Sequence, residues 1–170
     1  MAVDKLAQQN GSSKLQNPLA GRLADYLEDA GAQVEYKEEF YEDYHLDFTV
    51  TRFDDVYAHV NLGIHVTTSR DDLAQLETFT QVARRGIVLK ALYVELPEET
   101  TDSGGLLVAF GACISYLFDK RYVQTRAIGL RIDQDCSFNF FDIAESIERL
   151  RRLSLDEDLH VGEDMLGLII

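Results

Sequence analysis

The sequence predicts an α/β domain: a single mixed sheet of about five strands flanked by helices, in the order αβββαβαβα. Three observations carry this. Apolar residues at helical spacing and at spacing two alternate along the chain, so helices and strands interleave. The run Ile87–Leu96, IVLKALYVEL, reads as a strand buried on both faces. Finally, 170 residues with 46% hydrophobic content suffice for one core and are too few for two ordinary domains.

Residues 1–16 have no period and read as a polar, flexible leader. Asn17 is placed as a helix N-cap with Pro18 at the first helical position, and Leu19, Leu23, Tyr26, Leu27 and Ala30 recur at helical spacing until Gly31. From Gln33 the spacing becomes two, with Val34 and Tyr36 alternating with charges. Glu38, Glu39, Glu42 and Asp43 then read as a solvated turn or an exposed edge. His45–Arg52 alternates as a second strand, and Asp54 and Asp55 supply turn chemistry before a third strand over Val56–Thr67.

Ser69, with Asp71 and Asp72 behind it, opens a helix whose Leu73, Leu76, Phe79 and Val82 or Ala83 face the core. Gly86 closes it after Arg84 and Arg85, whose charge suits that end of the dipole. Pro97 and an acidic, Thr-rich loop follow the buried strand and lead to an almost wholly apolar helix over Leu106–Phe118. Val123–Ile132 is the fifth strand, and Phe141–Leu153 the last helix, through Ile143, Ile147 and Leu150. The domain therefore spans 17–153, and 154–170 form a tail with an acidic run and an apolar end, MLGLII.

The composition narrows the function. Thirty acidic against 16 basic residues give a net charge of −14, an average field that repels phosphate backbones and anionic membranes and argues against a nucleic-acid partner. Much of that charge lies in Glu35–Asp43, Glu95–Asp102 and Asp156–Asp164, which read as exposed loops and edges. Cys113 and Cys136 are far apart and outside any CxxC pair, so neither a thiolate zinc site nor a disulfide framework is expected, and a reducing cytoplasm is the natural setting. The N-terminus lacks the apolar core of a signal peptide, and the uncharged stretch Ser103–Phe118 is shorter than the roughly 20 residues that cross a bilayer.

A helix, a three-stranded meander and a crossover helix to a fourth strand, over Asn17–Leu96, resembles the core of the restriction-endonuclease-like, or PD-(D/E)XK, nuclease superfamily. The resemblance implies an aspartate on the second strand of the meander. It also implies, on the third strand, an acid two positions before a lysine, together holding a divalent cation and positioning water. Carboxylate oxygen suits hard Mg²⁺, and positive charge offsets what develops on a scissile phosphate. Asp47 in HLDFTV stands at the position of that aspartate. On the third strand, VNLGIHVTT, Gly63 replaces the acid and His65 the lysine, and shifting the frame to Asn61–Gly63 restores neither. Some nucleases of this fold carry a catalytic carboxylate on the following helix, where Glu77 would be the stand-in. The catalytic set implied is Asp47, His65 and Glu77, with Asp47 ligating Mg²⁺ or Mn²⁺.

Read from the residues themselves, Asp47 is either a solvent-facing carboxylate on a half-exposed strand or a site residue. His65 shares a face with His59, Asn61 and Gly63, as a small polar pocket or the wet side of a sheet. His45, His59 and His65 could meet across strands, although no HxH or HxxxH spacing supports a metal. Cys113 is a small core residue, and Arg84 and Arg85 either bind an anion or only complement the helix end.

The function expected is that of a noncatalytic α/β domain without a cofactor, acting by protein association as a homodimer. The degenerate motif points there, as do a helix Leu106–Phe118 more apolar than one sheet face requires and the MLGLII end. The alternatives are a metal-dependent nuclease or phosphodiesterase, and a small-molecule-binding regulator using the polar face near Asn61 and His65.

Overall fold

A computed structural model describes residues 17–98, 103–119, 126–135 and 137–155. The expected leader 1–16, the tail from residue 156, the first residues of the fifth strand and Cys136 lie outside them. One six-stranded sheet in the order β1-β2-β3-β4-β5-β6 runs through the molecule. Its strands are β1 (Gln33–Glu35), β2 (Phe48–Arg52), β3 (Leu62–Thr67), β4 (Lys90–Glu95), β5 (Ala127–Ile132) and β6 (Phe138–Phe141). β1, β2 and β3 form an antiparallel meander, β3, β4 and β5 are mutually parallel, and β6 returns antiparallel.

Helices cover both faces. Against one pack α1 (Pro18–Asp29) and α4 (Ser103–Leu117), which bury Leu23 and Leu27 and then Leu106, Phe110, Cys113 and Ile114 against Phe48, Val50, Ile64, Leu92 and Leu130. Against the other pack α3 (Leu73–Arg85) and α5 (143–155), which place Leu76, Phe79, Val82, Ile143 and Ile147 on Leu46, Ala91 and Tyr93. Each parallel connection passes through a helix, α3 between β3 and β4 and α4 between β4 and β5, as parallel pairing requires.

Several boundaries differ from the sequence reading. Glu38–Tyr44 is not a turn but a short helix, α2, ended by His45 in the left-handed region (φ 58°). Glu38 and Glu39 favour its N-terminus through the dipole, and Phe40 and Tyr44, one turn apart, pack on the α3 side of the core. β3 begins at Leu62 rather than Val56, because the Asp54 carboxylate accepts from the amides of Val56 and Tyr57 and ties residues 54–57 into a turn. Asp72, not Ser69, caps α3: its Oδ1 accepts from the Gln75 amide at 3.1 Å.

β6 falls on residues the sequence reading leaves unassigned and on Phe141, which it takes as the start of the last helix. Its FNFF alternation instead lines Phe138 and Phe140 against the α4 side and Phe141 against Tyr93, which raises the strand count to six. Glu95 is no loop residue either. It ends β4, is 1% exposed, and holds Arg131 of β5 at 2.5 Å. Among the described residues no helix is long and apolar enough to cross a membrane.

Candidate functional site

The polar centre of the molecule lies at the carboxyl ends of β3 and β4, where the start of α1, the end of α2 and the first turn of α3 converge. Asp47 enters β2 by donating its amide to the Ile64 carbonyl at 2.8 Å, and its carboxylate accepts from the Val66 amide at 2.7 Å. It is 2% exposed, which overturns the reading of a solvent-facing carboxylate: helices cover both sheet faces, so alternation along β2 exposes neither side. His65 lies beside it, Nδ1 3.6 Å from the Asp47 carboxylate.

Both ring nitrogens of His65 have partners. Nδ1 is 2.8 Å from the His45 carbonyl, and Nε2 is 3.1 Å from Oε1 of Gln75. The Gln75 amide is oriented by its own Nε2, which donates to Asp72 at 2.9 Å. Each ring nitrogen thus has an oxygen within hydrogen-bonding distance, and the Asp47 carboxylate lies on the Nδ1 side. Burial pushes the Asp47 carboxyl above its ordinary range, while the His65 charge and the Val66 and Asn17 hydrogen bonds pull the other way.

Asn17 completes the arrangement. Its Oδ1 caps α1 at the Leu19 amide (3.1 Å), and its Nδ2 donates to the Val66 carbonyl (2.7 Å), fastening the helix to β3 beside Asp47. These groups form one wall of a cleft of about 890 Å³, into which Arg22, Tyr41, His45 and Glu98 also project.

Of the expected site residues, Asp47 and His65 therefore meet, and Glu77 does not join them. Glu77 faces outward on α3 and pairs with Arg151 of α5 at 3.3 Å, along a different groove. A half-turn separates it from Gln75, the α3 side chain that reaches His65. Nor do the expected neighbours on β3 gather. Asn61 and His59 are exposed before the strand begins, and Gly63 is packed so closely that a Cβ there would lie 3.0 Å from Leu46. The wet sheet face does not exist, and Gly63 serves core packing. His45 shares the cleft with His65 but contributes its carbonyl, with its ring stacked on Tyr41.

These residues do not fit the divalent cation implied by the resemblance. The Asp47 carboxylate is engaged by the Val66 amide and lies beside His65, a glycine occupies the second acid's position, and among the described residues no three His, Cys, Asp or Glu side chains are placed to hold a metal. Sequence reasoning missed Gln75 and Asn17. The signal for Gln75 was present, since Asp72 and Gln75 have the spacing of a capping box.

Comparison with family models, with curated proteins and with solved structures found no match to this chain.

Proposed function

We propose that this chain is a noncatalytic α/β domain that works by association, pairing with a second copy of itself through the outer side of α4 and the adjoining edge strand β6. The observation that carries this is the outer face of α4. None of its 15 residues is charged, and it leaves Val108 69% exposed on a stripe with Gly104, Gly111 and Ser115. A helix apolar all round is ordinarily covered all round. The surface continues onto β6, where Tyr116 stacks on Phe140 (5.2 Å) and Phe140 meets Phe138 (5.9 Å).

β6 has no neighbour on its outer side among the described residues, and it carries no Lys or Pro that would block pairing. An antiparallel edge strand meeting its own copy generates a two-fold axis directly, which favours a homodimer over a heterologous partner. A nuclease-like fold belongs to the same proposal. Its support is the meander β1-β2-β3 followed by the crossover through α3 to a parallel β4. A cytoplasmic setting accords with the free, buried Cys113.

Sedimentation equilibrium of the full chain tests the association. The expected result is a dimer that Val108→Glu or Phe140→Lys converts to a monomer with unchanged circular dichroism. A wild-type monomer at every concentration, or dimers in both variants, overturns it.

A second reading has its own observation, the convergence of Asp47 and His65 on one polar cleft, and is that of a domain binding a small polar ligand there. Nuclear magnetic resonance screening of polar fragments would show shifts confined to α1, α2 and the end of β3 if it holds. Shifts spread without a focus, or none, would remove it.

A further inference from the structure

Three arginines line a groove separate from the Asp47 cleft. Arg84 ends α3, Arg126 immediately precedes β5, and Arg151 lies on α5. With Thr80 and Gln81 they line a groove of about 540 Å³ between α3, β5 and α5. In a chain of net charge −14 such convergence of cations is unexpected.

Two acids, Glu77 and Asp142, line the same groove. Glu77 pairs with Arg151 at 3.3 Å, and Asp142 turns Oδ1 to the Glu145 amide at 2.9 Å. Arg84 and Arg126 form no ion pair among the described residues. Ile143 and Ala144, in the first turn of α5, also line the groove, and amides at the start of a helix have no acceptor within it.

We propose that this groove binds a compact phosphate-class polyanion, of pyrophosphate or nucleoside polyphosphate type, with Arg84 and Arg126 as its principal ligands. The volume exceeds that of a lone ion, and planar guanidinium forks match phosphoryl oxygens two at a time. The bland reading of Arg84, a complement to the dipole of α3, leaves Arg126 unexplained, because it lies on no helix.

The test is calorimetric titration of pyrophosphate into the full-length protein at fixed ionic strength. Saturable binding is expected, weakened about tenfold or more in Arg84→Gln and in Arg126→Gln, consistent with loss of a charged hydrogen bond. It should be unchanged in Arg22→Gln, which alters the other cleft, and tightened in Glu77→Gln, which releases Arg151. All four side chains are at least partly exposed, so circular dichroism should confirm that each variant folds. No saturable heat in the wild type overturns the proposal. Equal affinity in Arg84→Gln and Arg126→Gln does so as well, and so does a loss confined to Arg22→Gln.

Discussion

The Asp47 carboxylate lies 3.6 Å from Nδ1 of His65, and both groups are buried where α1, α2 and α3 meet the end of β3. The pair joins two helices to one strand, because His65 also contacts the His45 carbonyl at the end of α2 and Gln75 in the first turn of α3. Removing the Asp47 carboxylate takes a partner away from buried polar groups. Asp47→Ala is expected to cost about 3–5 kcal/mol in urea unfolding, since it also orphans the Val66 amide. A loss below about 1 kcal/mol would show that water replaces the carboxylate.

The pH dependence of the same site has a definite sign. Burial is the largest influence on Asp47 and holds it above its ordinary value, 3.8. With the folded-state value the higher, the stability contributed by this carboxyl is complete below 3.8 and is lost as pH rises through the raised value. Asp47→Asn cannot ionise and escapes that loss. Urea titrations at a series of pH values should therefore show the difference between variant and wild type moving in the variant's favour as pH rises through this window. Movement in the opposite direction would mean that His65 and Val66 outweigh burial.

Two glycines are held by packing rather than by backbone conformation. An added Cβ at Gly63 would lie 3.0 Å from Leu46 and 3.1 Å from Val88, whereas one at Gly129 would overlap the Phe141 ring itself. Gly63→Ala is expected to cost about 1–3 kcal/mol as overpacking, and Gly129→Ala more, because an aromatic ring gives way less easily than an aliphatic tip. Thermal melts of the two variants would check that order.

Tyr93 and Glu95 make a contrasting pair of neighbours on β4. The Tyr93 hydroxyl is buried with no partner among the described residues, so Tyr93→Phe should leave stability unchanged or raise it. Glu95 is held by Arg131, and Arg131→Met would leave a buried carboxylate uncompensated, costing about 3–5 kcal/mol. Equal losses in both variants by urea unfolding would contradict the assignment.

Cys113 is fully buried on α4, and burial pushes its thiol well up. In a Cys136→Ser background its labelling by a thiol reagent should follow the rate of unfolding and accelerate with urea. Fast labelling under native conditions would show that α4 opens locally.

The elements legible in the sequence were those whose signals are local. Asn17, Pro18 and Gly31 mark α1, Arg84, Arg85 and Gly86 end α3, and largely apolar runs mark β4 and α4. Each depends on backbone capping or on periodicity within one segment, which short-range chemistry determines. The tertiary structure decided what depends on the other side of the sheet. Alternation along β2 marks Asp47 as distinct from its neighbours but cannot say whether its face meets water or helices. Only the packing of α1, α2 and α3 over that end buries it and brings His65, Gln75 and Asn17 to it from positions 18 to 30 residues away. The absence of charge on α4 was likewise visible at once, while the bare stripe at Val108 became evident only when the sheet had claimed the opposite face. Periodicity assigns a residue to a face, and burial of that face is set by contacts distant in sequence.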